Sequence, residues 1–215
     1  MSKQKCIVLL RETKCEAVVM VRIIEASKIL GKVKGTDRWF GLTYNMNLYR
    51  GCQHGCIYCD TRSECYGIGE LSDIRVKENC IEKLERELKG KRLKGTIGFG
   101  SMNDPYMPCE EEVMFTRKAL ELCAKYYFPV HIITKGTLVI RDIDLLKKIS
   151  KQNYAAVSFT ITTADDKLSQ IIEPGAQISS ERFKAMKNLA AEGIYTGITL
   201  MPLLPFINDD WDHIE

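Results

Sequence analysis

Short β-rich runs recur along the chain from residue 96 onwards, and their starts lie 34, 25 and 40 residues apart. The runs have the length and composition of strands, and they cover residues 96–100, 130–134, 155–161 and 195–200. The intervals have the apolar spacing of amphipathic helices, at residues 110–126, 142–151 and 180–192. Strands that alternate with helices predict a βα repeat and therefore a parallel sheet.

The residues at the ends of these helices support the same interpretation. Three glutamates, beginning at Glu110, open the first helix at the positive end of its dipole. We expect Asp142 to cap the second helix and Gly193 to close the third. The remaining predicted elements lie earlier in the chain: a β-hairpin of residues 6–10 and 17–24, a loop at 31–35, a strand at 39–44 and an amphipathic helix at 76–88 whose Cys80 is expected in the core.

The chain has 215 residues, 45% hydrophobic and 27% charged, which is enough to bury the core of one domain. Its nine cysteines are odd in number and irregularly spaced, a poor framework for disulfides that favours a reducing compartment. The apolar run after the basic start stops at Arg11 and Glu12, too early for a signal core or a membrane span. We therefore expect a cytoplasmic protein without a membrane segment.

Charge is unevenly distributed, although the net charge is only +3. Residues 1–38 carry nine Lys or Arg against four Asp or Glu, whereas the remainder carries 22 against 24. The basic segment fits either a phosphate-facing arm or an ordinary solvated surface. We expect residues 1–38 to form an extension that packs on the core, and residues 39–215 to form a single domain.

Three cysteines, Cys52, Cys56 and Cys59, give the strongest chemical signal, a C-x3-C-x2-C pattern. Ferredoxin clusters are bound by four cysteines, so three ligands would leave one iron open. An open metal position is typical of a catalytic site, because a substrate or cofactor can bind there.

A zinc site is the main alternative, because Cys65 makes four cysteines within 14 residues and His54 lies among them. Zinc motifs commonly pair two C-x2-C knuckles, however, and in this stretch only Cys56 and Cys59 have that spacing. Two non-catalytic classes therefore stay open: a zinc-containing binding module and a small iron–sulfur electron carrier.

The wider motif, Tyr49-Arg50-Gly51-Cys52-x-His54-Gly55-Cys56-x-Tyr58-Cys59, resembles the signature of radical S-adenosylmethionine (radical SAM) enzymes. It resembles in particular their spore photoproduct lyase-like branch, often called DNA repair photolyases, from about Ile24 to the last residue. The resemblance implies an α/β fold in the form of a partial (β/α) barrel. The cluster loop would follow the first strand, and functional residues would lie at the C-terminal ends of the strands.

The same resemblance implies cofactors, partners and a reaction. Cys52, Cys56 and Cys59 would bind a 4Fe-4S cluster whose open iron binds S-adenosylmethionine. The reduced cluster would cleave that cofactor to a 5'-deoxyadenosyl radical, which abstracts hydrogen from a substrate. An electron donor such as a flavodoxin or ferredoxin would be a partner, and DNA is a candidate substrate.

Residues that follow the predicted strands are expected to contact S-adenosylmethionine. By the resemblance, the group after the strand at 96–100 faces the amino group, which needs acceptors, and the lysine after 130–134 faces the carboxylate. An aromatic side chain beside the third cysteine would pack near the adenine. The expected contacts are Tyr58, Ser101, Asn103, Asp104, Lys135 and Ser158, with Thr160 beside the last.

The βα pattern stops after five strands, counting the strand at 39–44 as the first. We therefore expect the last βα unit of the barrel to be missing and the strand at 195–200 to be an edge of an open sheet. A chain that ends there is expected to cleave S-adenosylmethionine poorly compared with a longer form.

Two departures from spore photoproduct lyase bear on the substrate. Met102 lies where the resemblance places a cysteine that returns a hydrogen atom, and a thioether has no S–H to donate. Asp60 replaces the aromatic residue expected after Cys59. We therefore expect a sibling enzyme with another substrate, and Cys109 is the next thiol to consider as a hydrogen donor.

Overall fold

The computed structural model describes residues 6–9 and 19–210, and within them the backbone forms two sheets and six α-helices. The strands are β1 (Cys6–Leu9), β2 (Val19–Ile24), β3 (Leu30–Lys32), β4 (Leu42–Met46), β5 (Tyr49–Arg50), β6 (Arg75–Lys77), β7 (Thr96–Phe99), β8 (Val130–Thr134), β9 (Ala155–Thr160) and β10 (Tyr195–Thr199). The helices are α1 (Cys80–Gly90), α2 (Glu110–Val113), α3 (Phe115–Lys125), α4 (Ile143–Gln152), α5 (Asp166–Ile172) and α6 (Ser179–Ala191). Short 3-10 turns cover Asp60–Arg62, Glu64–Tyr66 and Thr137–Asp142.

The larger sheet is the framework of the fold, with the strand order β10-β9-β8-β7-β4-β3. Its first five strands in this order run parallel to one another, as the βα repeat predicts. Every residue of β9 is buried, which is expected of a strand covered on both faces. The predicted α/β class with a mostly parallel sheet is therefore confirmed.

The helices pack on this sheet because their apolar residues recur at helical spacing. In α1 the side chains of Cys80, Leu84 and Leu88 are buried at i, i+4 and i+8, which confirms Cys80 as a core residue. Leu146 and Ile149 of α4 are buried in the same core. No helix in the described part of the chain is long and apolar enough to cross a membrane.

The smaller sheet joins the N-terminal strands to the start of the cysteine loop, with the order β1-β2-β6-β5. β1 and β2 pair antiparallel, as the hairpin prediction requires, although residues 10, 17 and 18 of the predicted runs lie outside the described residues. β2 then pairs with β6, and β6 pairs with β5, which ends directly before Gly51 and Cys52. The N-terminal strands therefore belong to the sheet that supports the entry to this loop.

The structure differs from the local predictions at several positions. The loop expected at residues 31–35 begins as β3, which pairs antiparallel with β4. The helix expected from residue 76 begins at Cys80, because Arg75–Lys77 is taken up by β6 between β2 and β5. The sequence analysis also missed α5, whose N-terminus is capped by the Asp165 side chain.

The helix expected at residues 110–126 is divided in two at Met114, whose backbone has a φ of 54°. The carboxylate of buried Glu110 accepts hydrogen bonds from the backbone N–H groups of Phe115 and Thr116 at 3.1 and 2.9 Å. These are first-turn donors that have no partner within their own helix. Glu110 thus satisfies the start of α3 from outside that helix.

Asp142 does not cap α4 through its side chain, contrary to the prediction. Its carboxylate is fully buried, forms ion pairs with Arg117 and Arg141 at 2.9 Å, and accepts the hydroxyl hydrogen of Tyr106 at 3.1 Å. Two cations and a buried phenol compete successfully for oxygens that would otherwise face the helix N–H groups. Asp142 therefore ties α3, α4 and the loop after β7 together.

Among the described residues β10 pairs with β9 alone, and Tyr195 and Ile198 are 68% and 51% exposed. The N–H groups on its open side have no strand to bond, so we expect them to exchange with solvent faster than those of β9. Hydrogen exchange followed by mass spectrometry on peptides covering each strand measures the difference. Equal protection of β9 and β10 would contradict the open edge.

Candidate active site

The three cysteines lie on a loop whose backbone is fixed at its start. Gly51 has a φ of +89°, and a Cβ there would lie 2.7 Å from the carbonyl oxygen of Leu71 and 2.8 Å from that of Asp73. The N–H of Cys52 donates to the Leu71 carbonyl at 2.8 Å. Only glycine fits this turn, so its position directly before Cys52 sets the direction in which the loop leaves β5.

The far side of the loop is held by the segment after α5. The N–H of Ile57 donates to the carbonyl of Ile172, and the N–H of Gly175 donates to that of His54, both at 2.9 Å. A Cβ at Gly175 would overlap the carbonyl oxygen of Gln53. This close approach explains why a glycine follows Glu173 and Pro174.

A cavity of about 520 Å³ opens above these cysteines, at the carboxyl ends of the parallel strands. Its walls come from the cysteine loop and from the residues that end or follow β7, β8, β9 and β10. Nine of the ten predicted site residues line it, and they are Cys52, Cys56, Tyr58, Cys59, Ser101, Asn103, Asp104, Lys135 and Thr160. Parallel strands bring these distant segments together because their carboxyl ends share one edge of the sheet.

Ser158 is the predicted residue that does not line the cavity. Its hydroxyl lies 2.8 Å from Nε2 of His131 on β8, and both side chains are buried. Burial lowers the pKa of His131, against a smaller opposing effect of Asp37. Thr160, two residues further along β9, lines the cavity. Ser158 thus lies on the predicted strand, but two residues before the position from which a side chain reaches the cavity.

Asp104 is already engaged by four donors. One oxygen accepts from the N–H of Tyr106 and the hydroxyl of Thr134 at 2.8 and 2.6 Å. The other accepts from the N–H of Lys135 at 2.6 Å and lies 3.3 Å from Nδ1 of His54. Burial by itself raises the pKa of Asp104, but the charge and donors of these neighbours hold it well below its usual range. Asp104 therefore fastens the ends of β7 and β8 to the cysteine loop.

Asn103 and Ser101 are better placed than Asp104 to offer free acceptors. The amide nitrogen of buried Asn103 donates to the carbonyl of Tyr49 at 2.8 Å, which fixes the side chain and leaves its oxygen as an acceptor. Ser101 is exposed, and its hydroxyl donates to the side chain of Asn47 at 3.4 Å. The acceptors expected for a ligand ammonium are therefore present beside the cysteines.

Tyr58 lies between the cavity and a buried polar network. Its hydroxyl donates to Glu173, and the ammonium of Lys135 lies 5.7 Å from its ring centroid. Burial, with the neighbouring Cys56 and Glu173, raises the pKa of Tyr58, so the phenol keeps its proton. Glu173 is paired with Arg182 at 2.6 Å, and both side chains are fully buried. This network fixes the ring that Lys135 contacts.

Two residues that line the cavity were not predicted as part of a cofactor site. His54 is 1% exposed, and its Nε2 is buried with no hydrogen-bond partner among the described residues. The hydroxyl oxygen of Thr61 lies 2.8 Å from the Cys59 sulfur. An unpaired buried nitrogen beside a cavity is the signal of a missing partner, and only the folded geometry reveals it.

The sequence model of the radical SAM superfamily matches residues 46–215 of the chain. The chain belongs to the radical SAM superfamily. An uncharacterised protein of Methanocaldococcus jannaschii is 36% identical over 172 residues, which are 79% of this chain and 63% of that protein. An uncharacterised protein of Mycobacterium tuberculosis is 28% identical over 179 residues, 80% of this chain and 53% of that protein. The chain thus spans between about half and two thirds of the length of these relatives.

Other radical SAM proteins extend the comparison. A protein of Pseudomonas phage M6, named radical SAM Nalpha-GlyT isomerase, is 27% identical over 165 residues, 76% of this chain and 34% of that protein. A solved structure of spore photoproduct lyase complexed with dinucleoside spore photoproduct has a TM-score of 0.64 at 17% identity. It covers 85% of this chain and 52% of that one. The two chains therefore share a fold.

Membership of the radical SAM superfamily implies a 4Fe-4S cluster and S-adenosylmethionine, and the donor set of the cavity fits them. Within residues 21–210, no three His, Cys, Asp or Glu side chains are grouped as they would be around one ion. In a cubane each cysteine binds its own iron, so the three sulfurs stand further apart than around zinc. Cys65 is exposed beside Ser63 and does not line the cavity.

Burial raises the pKa of Cys52 to about 11 and also raises that of Cys56, where Lys135 opposes the effect. These thiols are therefore protonated at neutral pH until a metal displaces their protons.

Proposed function

We propose that the chain binds a 4Fe-4S cluster through Cys52, Cys56 and Cys59 and binds S-adenosylmethionine in the adjoining cavity. It uses both to abstract hydrogen from a nucleic-acid substrate. One observation carries the proposal: the three thiols and the carboxyl ends of four parallel strands open into a single cavity of about 520 Å³. When bound, the two cofactors supply a 5'-deoxyadenosyl radical.

The side chains of the cavity wall have separate tasks in this proposal. The oxygen of Asn103 and the hydroxyl of Ser101 accept from the ammonium of the methionine moiety. Lys135 faces the carboxylate of the methionine moiety. The Tyr58 ring, held by Glu173, limits where the ammonium of Lys135 can move. Met201 and Pro202, after β10, contribute apolar groups to the cavity wall, which would reduce the access of water.

Formation of 5'-deoxyadenosine tests the proposal. The protein is reconstituted anaerobically with iron and sulfide, reduced with dithionite in place of a flavodoxin or ferredoxin donor, and mixed with S-adenosylmethionine. We expect a brown protein whose visible band fades on reduction and which releases 5'-deoxyadenosine. A brown protein that releases none would favour the electron carrier. A colourless protein that binds zinc would favour the binding module.

A nucleic-acid substrate is supported by the two named relatives. The solved spore photoproduct lyase holds a dinucleoside photoproduct, and the phage relative is named as an isomerase of Nalpha-GlyT. This chain matches only 52% of the solved lyase and 34% of the phage protein. The substrate is therefore proposed as a class rather than as one compound.

Repair of spore photoproduct itself is expected to be negligible. Met102 lines the cavity where the resemblance places a hydrogen-donating cysteine, and its thioether has no S–H. Incubation of the reduced protein with dinucleotide photoproduct and S-adenosylmethionine should therefore yield 5'-deoxyadenosine with little repaired thymine dinucleotide, measured by chromatography. Repair over many turnovers would contradict this prediction.

Cys109 is a poor substitute donor. Its side chain is fully buried and does not line the cavity, and its N–H donates to the side chain of Gln53 at 2.6 Å. Burial, with a contribution from Glu110, raises the pKa of its thiol to about 12. Met102→Cys is the informative variant if photoproduct repair is sought, because it restores a thiol on the cavity wall.

A further inference from the structure

A second cavity of about 470 Å³ adjoins the cysteine cavity. Met102 and Asn103 line both of them, so these two residues form a shared wall. The rest of the second cavity comes from residues 24–28 after β2, from residues 47 and 49–51 before the cysteines, and from Tyr66, Ile68 and Lys77. A molecule bound there would be adjacent to the proposed site of radical chemistry.

Positive charge dominates the lining of the second cavity. Lys28, Arg50 and Lys77 line it, against one carboxylate, that of exposed Glu25. Among the described side chains, neither Arg50 nor Lys77 has a carboxylate within ion-pair distance. Two cations without an anionic partner face one polar cavity, which favours an anionic ligand.

Arg50 is held in place by the backbone. One of its terminal nitrogens donates to the carbonyls of Tyr66 and Gly67 at 3.1 and 2.6 Å. A guanidinium has five N–H donors, so others remain for a ligand. A planar donor group fixed in this way suits the oxygens of a phosphate.

Lys77 presents a half-buried ammonium. It donates to the carbonyl of Lys28 at 3.4 Å, which uses one of its three hydrogens. Burial lowers the pKa of Lys77, and the charge of Glu87 partly offsets this effect. The carboxylate of Glu87 itself accepts from the N–H groups of Ile29 and Leu30 at 2.8 and 2.9 Å. A bound anion would stabilise the charged form of Lys77.

We propose that the second cavity binds a phosphate group of a nucleotide or polynucleotide substrate through Arg50 and Lys77, and that the attached nucleoside reaches across Met102 and Asn103 to the cysteine cavity. The proposal rests on the nucleic-acid substrate class proposed above. Tyr66, 40% exposed, adds an aromatic surface for a base to the same lining. Cations beside an exposed aromatic ring are the combination that binds single-stranded nucleic acid.

The test is binding of a fluorescent single-stranded oligodeoxynucleotide to the cluster-loaded protein without reductant, followed by anisotropy over a range of salt concentrations. Each phosphate contact contributes about 0.9 to the slope of log affinity against log salt for duplex DNA, and about 0.7 for single strands. Lys77→Gln is expected to lower the slope, by up to about 0.7 for a full contact. The matched control is Lys151→Gln, exposed near the end of α4, which should leave the slope unchanged.

Competition separates the sources of the phosphate. Displacement of the probe by a nucleoside monophosphate would indicate a nucleotide site, whereas displacement by unlabelled oligonucleotide alone would indicate a polynucleotide site, and either result supports the cavity. Equal slopes for Lys77→Gln and Lys151→Gln, or no binding by the unaltered protein, would overturn it. If Lys77→Gln lowers the salt slope but the unaltered protein releases no 5'-deoxyadenosine, the proposed function is overturned and the phosphate site is retained.

Discussion

Replacing Cys52, Cys56 or Cys59 with alanine is expected to reduce 5'-deoxyadenosine formation to background and to lower the iron and sulfide bound per chain. Each sulfur has its own position on the cavity wall, and a cubane cannot replace a lost ligand with a distant thiol. Cys80 and Cys123 are buried in the core, and Cys109, although near Cys52, is fully buried and does not line the cavity. Iron and sulfide analysis and the 5'-deoxyadenosine assay check the result.

Cys65→Ala is the matched control for these variants. It removes a thiol from the same segment, but Cys65 is exposed and does not line the cavity. It should keep both the cluster and the activity. Loss of the cluster in Cys65→Ala together with its retention in Cys52→Ala would show that the assignment of ligands is wrong.

Arg182→Met is expected to lower the free energy of unfolding by about 3–5 kcal/mol, because it leaves the carboxylate of Glu173 buried without its cation. Arg182 is fully buried, and besides Glu173 it donates to the carbonyls of Gln177 and Thr160 at 2.6 and 2.9 Å. The variant therefore also leaves two carbonyl acceptors with fewer donors. Equilibrium unfolding in urea, followed by circular dichroism, measures the loss.

Lys184→Met, on the same helix α6, provides the comparison. Lys184 pairs with Glu181 at 2.7 Å, but this pair lies at the surface, where water and salt screen it. Both variants replace a cationic side chain with methionine, but Arg182 is buried whereas Lys184 lies at the surface. The free energy of unfolding should therefore change little in Lys184→Met. If the two variants unfold at the same urea concentration, the buried pair does not stabilise the fold as argued.

Strands β7 to β10 of the larger sheet are predictable from the sequence because each is a short β-rich run bounded by polar or glycine residues. The run at 130–134 and β8 coincide, and β9 and β10 each end one residue before their predicted runs. In β9, burial on both faces requires mostly apolar residues, and they are visible in the sequence. Gly193, with a φ of +77°, likewise follows α6 as predicted.

Two of the misses come from side chains whose partners differ from those that a helix-capping pattern predicts. Glu110 and Asp142 both look like helix-capping residues, yet Glu110 satisfies the start of α3 and Asp142 pairs with Arg117 and Arg141. Local helix propensity does not indicate which of the competing donors binds each carboxylate. The short strand β3 is equally hidden, because its pairing with β4 rather than its composition makes Leu30–Lys32 extended.

In the candidate site, too, the sequence predicts which segments come together but not which partners each side chain finds. Position along the chain places Asn103, Asp104 and Lys135 at the cavity, because every βα unit delivers its carboxyl end to one edge. What each side chain does there depends on its neighbours: Asp104 is saturated by donors, whereas Asn103 keeps an acceptor. The unpaired Nε2 of His54 has no counterpart in any pattern of residues.

The anchoring of the cysteine loop bears on which metal a newly folded chain acquires. Hydrogen bonds from Cys52, Ile57 and Gly175 tie the loop to three other positions in the backbone. Drawing the thiols together around a single zinc ion would strain or break such bonds, at a cost of about 1 kcal/mol each. With the proposed ligands, we expect the folded loop to discriminate against zinc and to favour insertion of a preassembled cluster over capture of free metal ions.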